Sequence, residues 1–309
     1  MWCPTGTSTT VVCVVVDGAA LARLLAQPFM QRALIGGLLT GSLGGLLGSF
    51  AVLRQLSFFS DALGHSALLG ITLGLLLGIN PTLVLIPFAV IFALLINQLV
   101  QRSRLPADAL LNIVYSTSLA FAVVALSLVE TYRGGIQQLL FGDILGIAWP
   151  DLVVIAVLLL GALVYLALSL RAQVLLTLND DLAGAFGVRA NWHRLAFIIL
   201  LAVVVAVSIK AVGVLLISAF VVIPACAGRL LSRRFPVYML ISGTLGGGCA
   251  LLGLLVSGLT NLPSGPCVVI VQFAGFVLAL LVSQVRYWSA ASAVPAGTRT
   301  PGAAQAARE

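Results

Sequence analysis

An aspartate and a histidine stand four residues apart at the start of a long apolar stretch. The stretch runs from Ser60 to Gly78, and the two residues are Asp61 and His65. Residues four apart lie on the same face of an α-helix. A carboxylate oxygen and an imidazole nitrogen that point the same way make half of a transition-metal site. Because a carboxylate at the centre of a membrane helix costs about 2.5–3.5 kcal/mol, we expect the function of the chain to involve this pair.

The chain that must position this pair is dominated by apolar segments. Of its 309 residues, 61% are hydrophobic and 8% are charged, whereas soluble proteins carry roughly 25% charged residues. Apolar runs of about 20 residues, the length of a membrane-spanning helix, recur from Ala33 to Val285. The sequence therefore predicts an all-α polytopic membrane protein with eight or nine transmembrane helices.

Nine spans are predicted, with an open division between Leu195 and Leu231, where the apolar stretch is nearly unbroken. Residues 1–30 are interpreted as an N-terminal extension with an interfacial segment, 31–288 as one transmembrane domain and 289–309 as a disordered tail. The short segment Leu21–Arg32 is assigned to the membrane interface. The predicted spans are Ala33–Leu53, Phe58–Ile79, Pro81–Val100, Ala109–Val129, Leu152–Leu170, Leu195–Ile209, Val212–Leu231, Val237–Ser257 and Cys267–Val285.

Arginine placement predicts the orientation of these spans, because cytoplasmic loops carry an excess of basic residues. One set of alternate loops holds most of the arginines, and the opposite loops hold only Arg32, Arg133 and Lys210 near their edges. The first set is predicted to be cytoplasmic, which also places the C-terminus in the cytoplasm. Its members are Arg54, Arg102, Arg104, Arg171, Arg189, Arg194, Arg229, Arg233, Arg234 and Arg286.

Several motifs of enzymes are missing from the sequence. Lys210 is the single lysine, and no G-x-x-x-x-G-K-[ST] motif is present, so the usual phosphate-binding loop of nucleotide hydrolases is lacking. His65 and His193 are the only histidines, and none of the five cysteines forms a C-x-x-C pair. His193 is interpreted as an interfacial residue and the cysteines as apolar packing residues.

The longest predicted cytoplasmic connection, Arg171–Arg194, contains signals for a short helix. Asn179 or Asp180 can cap a helix over Asp181–Phe186, and Gly187 can end it. A short helix outside the membrane suits docking of a soluble partner. A solvated loop with an accidental cap is the alternative.

Five blocks of the sequence carry a resemblance to a known family. They are Pro28–Leu34, Leu56–Gly70, Asp108–Ser116, Leu139–Leu145 and Val212–Leu231, and their order and spacing cover about Pro28 to Arg286. Together they resemble the permease family of metal-ion ABC transporters for zinc, manganese and iron, most closely the zinc-uptake permeases. Two departures are a long N-terminal stretch and Gly64 and Ser66 beside the histidine, where many members carry Ser and Ala.

The resemblance implies an ABC importer permease fold and a homodimer in the cell membrane. Cytoplasmic ATPase subunits would power transport, and an extracytoplasmic metal-binding lipoprotein would deliver the ion. The metal would be cargo, with no stably bound cofactor and no enzymatic activity in this chain. The docking surface for the ATPase would be the segment that comprises Asp180, Asp181, Leu182, Ala183, Gly184, Ala185, Phe186 and Gly187.

Two subunits would contribute two copies of Asp61 and His65, a set of four ligands for Zn²⁺, Mn²⁺ or Fe²⁺. The predicted topology places the pair nearer the cytoplasm than the midplane, so that it can be a binding site or an inner gate. In the structural alternative, Asp61 caps its helix and His65 binds a carbonyl. Lys210 is expected to reach the outer interface or to neutralise Asp143 or Glu130.

Two other classes of transporter are kept as alternatives. A permease for cobalamin or iron chelates would have a wide cavity without an intramembrane Asp–His pair. A proton-coupled secondary carrier would use the pair as a proton relay and often shows an inverted repeat, which this sequence lacks.

Overall fold

The computed structural model describes residues 24–103, 105–127, 142, 144–178, 184–214, 216–232 and 234–292. These residues form nine long helices and no strand, as an all-α membrane protein requires. In chain order the helices are α1 (Pro28–Leu53), α2 (Phe59–Leu76), α3 (Pro81–Arg102), α4 (Ala107–Ser127), α5 (Trp149–Leu178), α6 (Ala190–Val212), α7 (Ile217–Leu231), α8 (Phe235–Thr260) and α9 (Ser264–Ser292).

Eight of these helices are long and apolar enough to cross a membrane, which confirms the prediction of eight or nine spans. The remaining helix, α7, has 15 residues and contains Pro224. A membrane-spanning helix needs at least about 17 residues, so this helix is too short. Within the described residues, α7 is therefore the helix that does not meet the length of a complete span.

The structure settles the division of the apolar stretch between Leu195 and Leu231. Helix α6 continues to Val212, past the predicted end at Ile209, and α7 begins only at Ile217. Gly213 adopts φ 90°, a conformation that side chains disfavour, and it ends α6. Apolar composition alone hid this break, because the residues on both sides are equally hydrophobic.

Helices extend past the predicted spans at both ends of the transmembrane domain. Helix α1 begins at Pro28, so residues 28–32, assigned to an interfacial segment, are continuous with the first predicted span. Proline is favoured in the first turn of a helix, where its missing N–H costs nothing. At the other end, α9 continues to Ser292, past the predicted boundary at residue 288. The predicted tail from 293 and the extension before 24 lie outside the described residues.

Glycines let α1 pack closely against α7 and α8, within the chain. A Cβ added at Gly41 would collide with the carbonyl of Gly246, and one at Gly45 with the carbonyl of Ser242. A Cβ at Gly44 would stand 2.8 Å from the main-chain oxygen of Phe220 in α7, which is also too close. The glycine spacing in α1 thus serves close helix contact inside the subunit.

Helix α2 is held in the interior of the bundle by α3, α4, α6 and α7. Gly70 faces the ring of Phe88 in α3, and a Cβ at Gly64 would stand 3.0 Å from the main-chain oxygen of Val214. Phe59, at the start of α2, packs on Phe92 with ring centroids 5.9 Å apart. The helix that carries the Asp–His pair is therefore fixed from several sides.

Candidate functional site

Asp61 and His65 lie on one face of α2, as their spacing predicts. The Nε2 atom of His65 is 3.7 Å from Oδ1 of Asp61, and the two side chains are 18% and 28% exposed. A metal ion that binds each of two atoms at about 2.1 Å can bridge atoms up to about 4.2 Å apart. With a tetrahedral angle between the two bonds, the two bound atoms are about 3.4 Å apart. One divalent ion can thus contact both side chains with little adjustment.

The structural alternative for the pair finds no support among the described residues. Asp61 lies in the first turn of α2, but no side-chain hydrogen bond caps this helix, and the N-cap residue is Phe58. The carboxylate still benefits from the positive end of the helix dipole. His65 donates no hydrogen bond to a carbonyl within the described part of the chain; its contacts are with Asp61 and the ring of Tyr115.

The ring of Tyr115 in α4 packs beside the imidazole of His65, a contact that the sequence did not predict. Its centroid lies 5.1 Å from that of His65, and the ring of Phe58 meets the same tyrosine edge to face at 6.3 Å. Tyr115 stands about 12 Å along α4 from its first residue, at 1.5 Å per residue. His65 therefore lies beside the half of α4 nearer its start, and Asp61 lies one turn closer to the beginning of α2.

A cavity of about 770 Å³ opens beside Asp61. Asp108, at the start of α4, lines the same cavity and is exposed. Asp108 begins one of the five sequence blocks, but the sequence alone assigns no role to it. An acidic residue in a chain with so few charges is itself an indication of function. The other lining residues are Val52, Gln55, Ser57, Phe58, Ser218, Ala219, Val222 and Ile223.

Within the described residues, one chain supplies too few ligands to enclose a metal ion. No group of three or more His, Cys, Asp or Glu side chains converges in this part of the chain. Structural zinc sites use four protein ligands, whereas sites that exchange their contents keep positions open. The Asp61–His65 pair is therefore an open, partial site, and its aspartate lines a cavity.

Comparison with known proteins decides the family. The model of the ABC 3 transport family matches residues 26–283. The chain belongs to this family. It is 32% identical, over 80% of this chain and 95% of the relative, to the "High-affinity zinc uptake system membrane protein ZnuB" of Haemophilus influenzae. It is 31% identical to the "Manganese import system permease protein ScaB" of Streptococcus gordonii, over 82% of this chain and 91% of the relative.

A solved structure supports the fold of this ABC 3 family member. The structure described as "PsaBC from Streptococcus pneumoniae in complex with Fab" matches with a TM-score of 0.75 at 24% identity, covering 85% of this chain and 94% of that chain. The resemblance to metal-ion ABC permeases, stated from the sequence blocks, is confirmed, as are the membrane-protein class and the permease fold.

The segment predicted to dock an ATPase lies between α5 and α6. Asp180, Asp181, Leu182 and Ala183 fall outside the described residues. Gly184–Gly187 are exposed and form one turn, closed by a hydrogen bond from the Gly187 N–H to the oxygen of Gly184 at 3.0 Å. Gly187 ends the turn at φ +73°, and Phe186 is 62% exposed. An exposed phenylalanine on this connection is available to a partner, and the docking role remains a prediction.

Lys210 has a partner that the sequence reading did not name. Its Nζ donates to both carboxylate oxygens of Asp151 at 2.8 Å, and its side chain is 53% exposed. This ion pair joins the end of α6 to the start of α5. Asp143 and Glu130, the partners considered from the sequence, lie outside the described residues.

The remaining polar candidates have structural roles in the part of the chain that the structure describes. The main-chain oxygen of His193 accepts a hydrogen bond from the hydroxyl of Tyr165 at 3.3 Å. Cys226, Cys249 and Cys267 are free cysteines, in keeping with the packing role assigned from the sequence. Cys3 and Cys13 lie outside the described residues.

Proposed function

We propose that this chain is the membrane-spanning permease subunit of an ATP-driven importer for a divalent transition metal. The observation that carries the proposal is the pair Asp61 and His65, 3.7 Å apart on one face of an interior helix, with Asp61 lining a 770 Å³ cavity. A carboxylate that is largely buried is costly to keep charged unless a positive charge lies close to it. A divalent cation in transit supplies that positive charge.

In this proposal, a homodimer brings two copies of the pair together across a two-fold axis. Four ligands, two carboxylates and two imidazoles, suit Zn²⁺, and added water suits Mn²⁺ or Fe²⁺. Zinc is favoured because of the general likeness to zinc-uptake permeases, with manganese or iron as alternatives. The ion is cargo, so the ligands must separate again for it to leave.

The energy and the delivery of the ion come from other proteins in this proposal. The chain carries no P-loop motif, so ATP hydrolysis falls to cytoplasmic ATPase subunits that dock at residues 180–187. An extracytoplasmic binding protein presents the metal at the opposite face. This arrangement places the permease in the cell membrane with its C-terminus in the cytoplasm.

Uptake of trace Zn²⁺, Mn²⁺ and Fe²⁺ by cells that express the subunit with its ATPase and binding protein tests the proposal. Asp61→Ala and His65→Ala are expected to lower uptake of one metal by more than about tenfold, since even an outer-shell change costs 10–100-fold. His193→Ala is the matched control, because it removes the other histidine. Normal uptake by both site variants, at equal membrane expression, would contradict the proposal.

The alternative transporter classes make different predictions in the same cells. A secondary carrier would transport without the ATPase subunit, and its uptake would follow the proton gradient. A permease for chelates would transport a metal only with its chelator. The Asp–His pair favours the free ion, because these two side chains are direct metal ligands.

A further inference from the structure

Arg54, in the connection between α1 and α2 (residues 54–58), binds α5 and α6. Its Nη2 donates to the main-chain oxygen of Gln173 at 3.1 Å and also to the Oε1 atom of the same residue. Its guanidinium lies 4.8 Å from the ring centroid of Phe197 in α6. One side chain thus joins the segment that leads to Asp61 with both helices of the α5–α6 hairpin, the pair of helices on either side of residues 179–189.

Gln173 connects Arg54 to a buried polar network within this hairpin. Its side chain is fully buried, and its Nε2 donates to the hydroxyl of Tyr165 at 2.6 Å. That hydroxyl donates to the main-chain oxygen of His193, at the start of α6, at 3.3 Å. Because buried polar groups are costly to leave without partners, movement of the hairpin will carry Arg54 with it.

The α1–α2 connection lines two cavities. One, of about 460 Å³, is lined by Arg54 and Gln55 and, on the hairpin, by Thr177 and Arg194. The other is the 770 Å³ cavity beside Asp61, and Gln55 lines both cavities. The connection therefore contacts the hairpin at Arg54 and reaches the cavity of Asp61 at Gln55, with open space beside it at both places.

We propose that Arg54 and Gln173 couple the α5–α6 hairpin to the Asp61–His65 pair. The inference rests on the proposed function, in which this hairpin carries the docking segment for the ATPase. Displacement of the hairpin pulls the connection through Arg54 and shifts the start of α2. Asp61 and His65 both lie in the first two turns of that helix, so a shift of about 1–2 Å, typical of helix movements in switching proteins, moves the pair away from its copy in the second subunit and releases the ion. Arg54 is a positioning residue and does not contact the metal.

The test compares metal uptake with ATP hydrolysis in the assembled transporter in proteoliposomes. Arg54→Gln and Gln173→Leu are each expected to lower the amount of metal transported per ATP by about tenfold. ATP hydrolysis and metal binding to the solubilised complex are expected to stay within about twofold of wild type. The double variant should be no worse than either single variant, because both remove the same contact. Arg54→Lys, which keeps the charge without the planar fork, should lie between wild type and Arg54→Gln.

Arg286→Gln is the matched control. Arg286 is exposed at the end of α9, and its Nη1 donates to the main-chain oxygen of Leu231 at 3.3 Å, away from the hairpin. It should keep the wild-type ratio of metal to ATP. If metal uptake and ATP hydrolysis fall in the same proportion in Arg54→Gln and Gln173→Leu, so that the ratio of metal to ATP does not change, the coupling is refuted. If Arg54→Gln fails to assemble, Gln173→Leu decides. Absence of transport of all three metals by wild type would instead contradict the proposed function, and the coupling with it.

Discussion

The ring of Tyr115 packs against the imidazole of His65, with centroids 5.1 Å apart and planes inclined by 52°. The two residues come from different helices, α4 and α2. A histidine binds a metal well only when its ring is held in the correct orientation, and neighbouring groups supply that orientation. The tyrosine is therefore expected to set the direction in which Nε2 points.

Removal of the Tyr115 ring should weaken metal binding more than removal of its hydroxyl. Tyr115→Ala is expected to raise the dissociation constant for the transported metal by about tenfold, the lower end of outer-shell effects, because the imidazole gains rotational freedom. Tyr115→Phe keeps the ring and should bind as wild type does. Calorimetric titration of the purified permease measures both. Equal losses in the two variants would show that the hydroxyl is the group that matters.

Asp108 should assist the ion after it leaves the pair. It lines the same cavity as Asp61, and a carboxylate there raises the local concentration of cations. Asp108→Asn is therefore expected to lower the rate of metal uptake by about threefold to tenfold. Its effect should shrink at high salt, because exposed charges are screened. Time courses of uptake at low and high ionic strength measure this.

Asp108→Glu, which preserves the charge, is the control for this prediction and should transport at the wild-type rate. Metal binding at equilibrium should be unchanged in both variants, because Asp108 is not one of the two proposed ligands. A loss of binding in Asp108→Asn as large as that in Asp61→Ala would make Asp108 a ligand instead.

The sequence alone predicts the class of fold and the shared helix face of Asp61 and His65, because both depend on local signals. Span length and apolar composition define the helices, and the spacing of Asp61 and His65 defines a shared face. The surroundings of the pair depend on which helices become neighbours. Tyr115 and Asp108 come from α4, and nothing in the sequence around Asp61 indicates that α4 packs beside α2.

The partner of Lys210 illustrates the same limit at the end of the bundle where α5 begins. Glu130, Asp143 and Asp151 all precede or begin α5 in the sequence, and composition cannot rank them. Asp151 is selected because the start of α5 lies beside the end of α6. The end of α6 itself depends on Gly213, whose backbone conformation interrupts an otherwise continuous apolar run.

Two glycines in α8 should respond in opposite ways to the same substitution. A Cβ at Gly246 would collide with the main-chain carbonyl of Gly41, whereas one at Gly248 has no atom within 4 Å. Gly246→Ala is therefore expected to destabilise the protein by about 1–3 kcal/mol, as overpacking does. Gly248→Ala should be neutral or stabilising, because alanine favours helix by up to about 1 kcal/mol relative to glycine.

Thermal unfolding of both variants in detergent, followed by size-exclusion chromatography, measures this contrast. The two positions share a helix and a substitution, so differences in helix propensity cancel. A melting temperature of Gly246→Ala equal to that of Gly248→Ala would show that α1 and α8 are not in close contact at this point.

The ion pair between Lys210 and Asp151 should contribute little to stability despite its short distance of 2.8 Å. The lysine side chain is 53% exposed and the aspartate 25% exposed, and exposed pairs typically contribute about 0.2–1 kcal/mol. Lys210→Met is expected to lower the free energy of unfolding by no more than about 1 kcal/mol, and added salt should reduce the difference further. A double-mutant cycle with Asp151→Asn isolates the interaction, because Asp151 also accepts a hydrogen bond from the Ala148 N–H at 3.2 Å. A coupling energy well above this range would mean that the pair is shielded from solvent, as it would be if a partner protein or second subunit covered this end of the bundle.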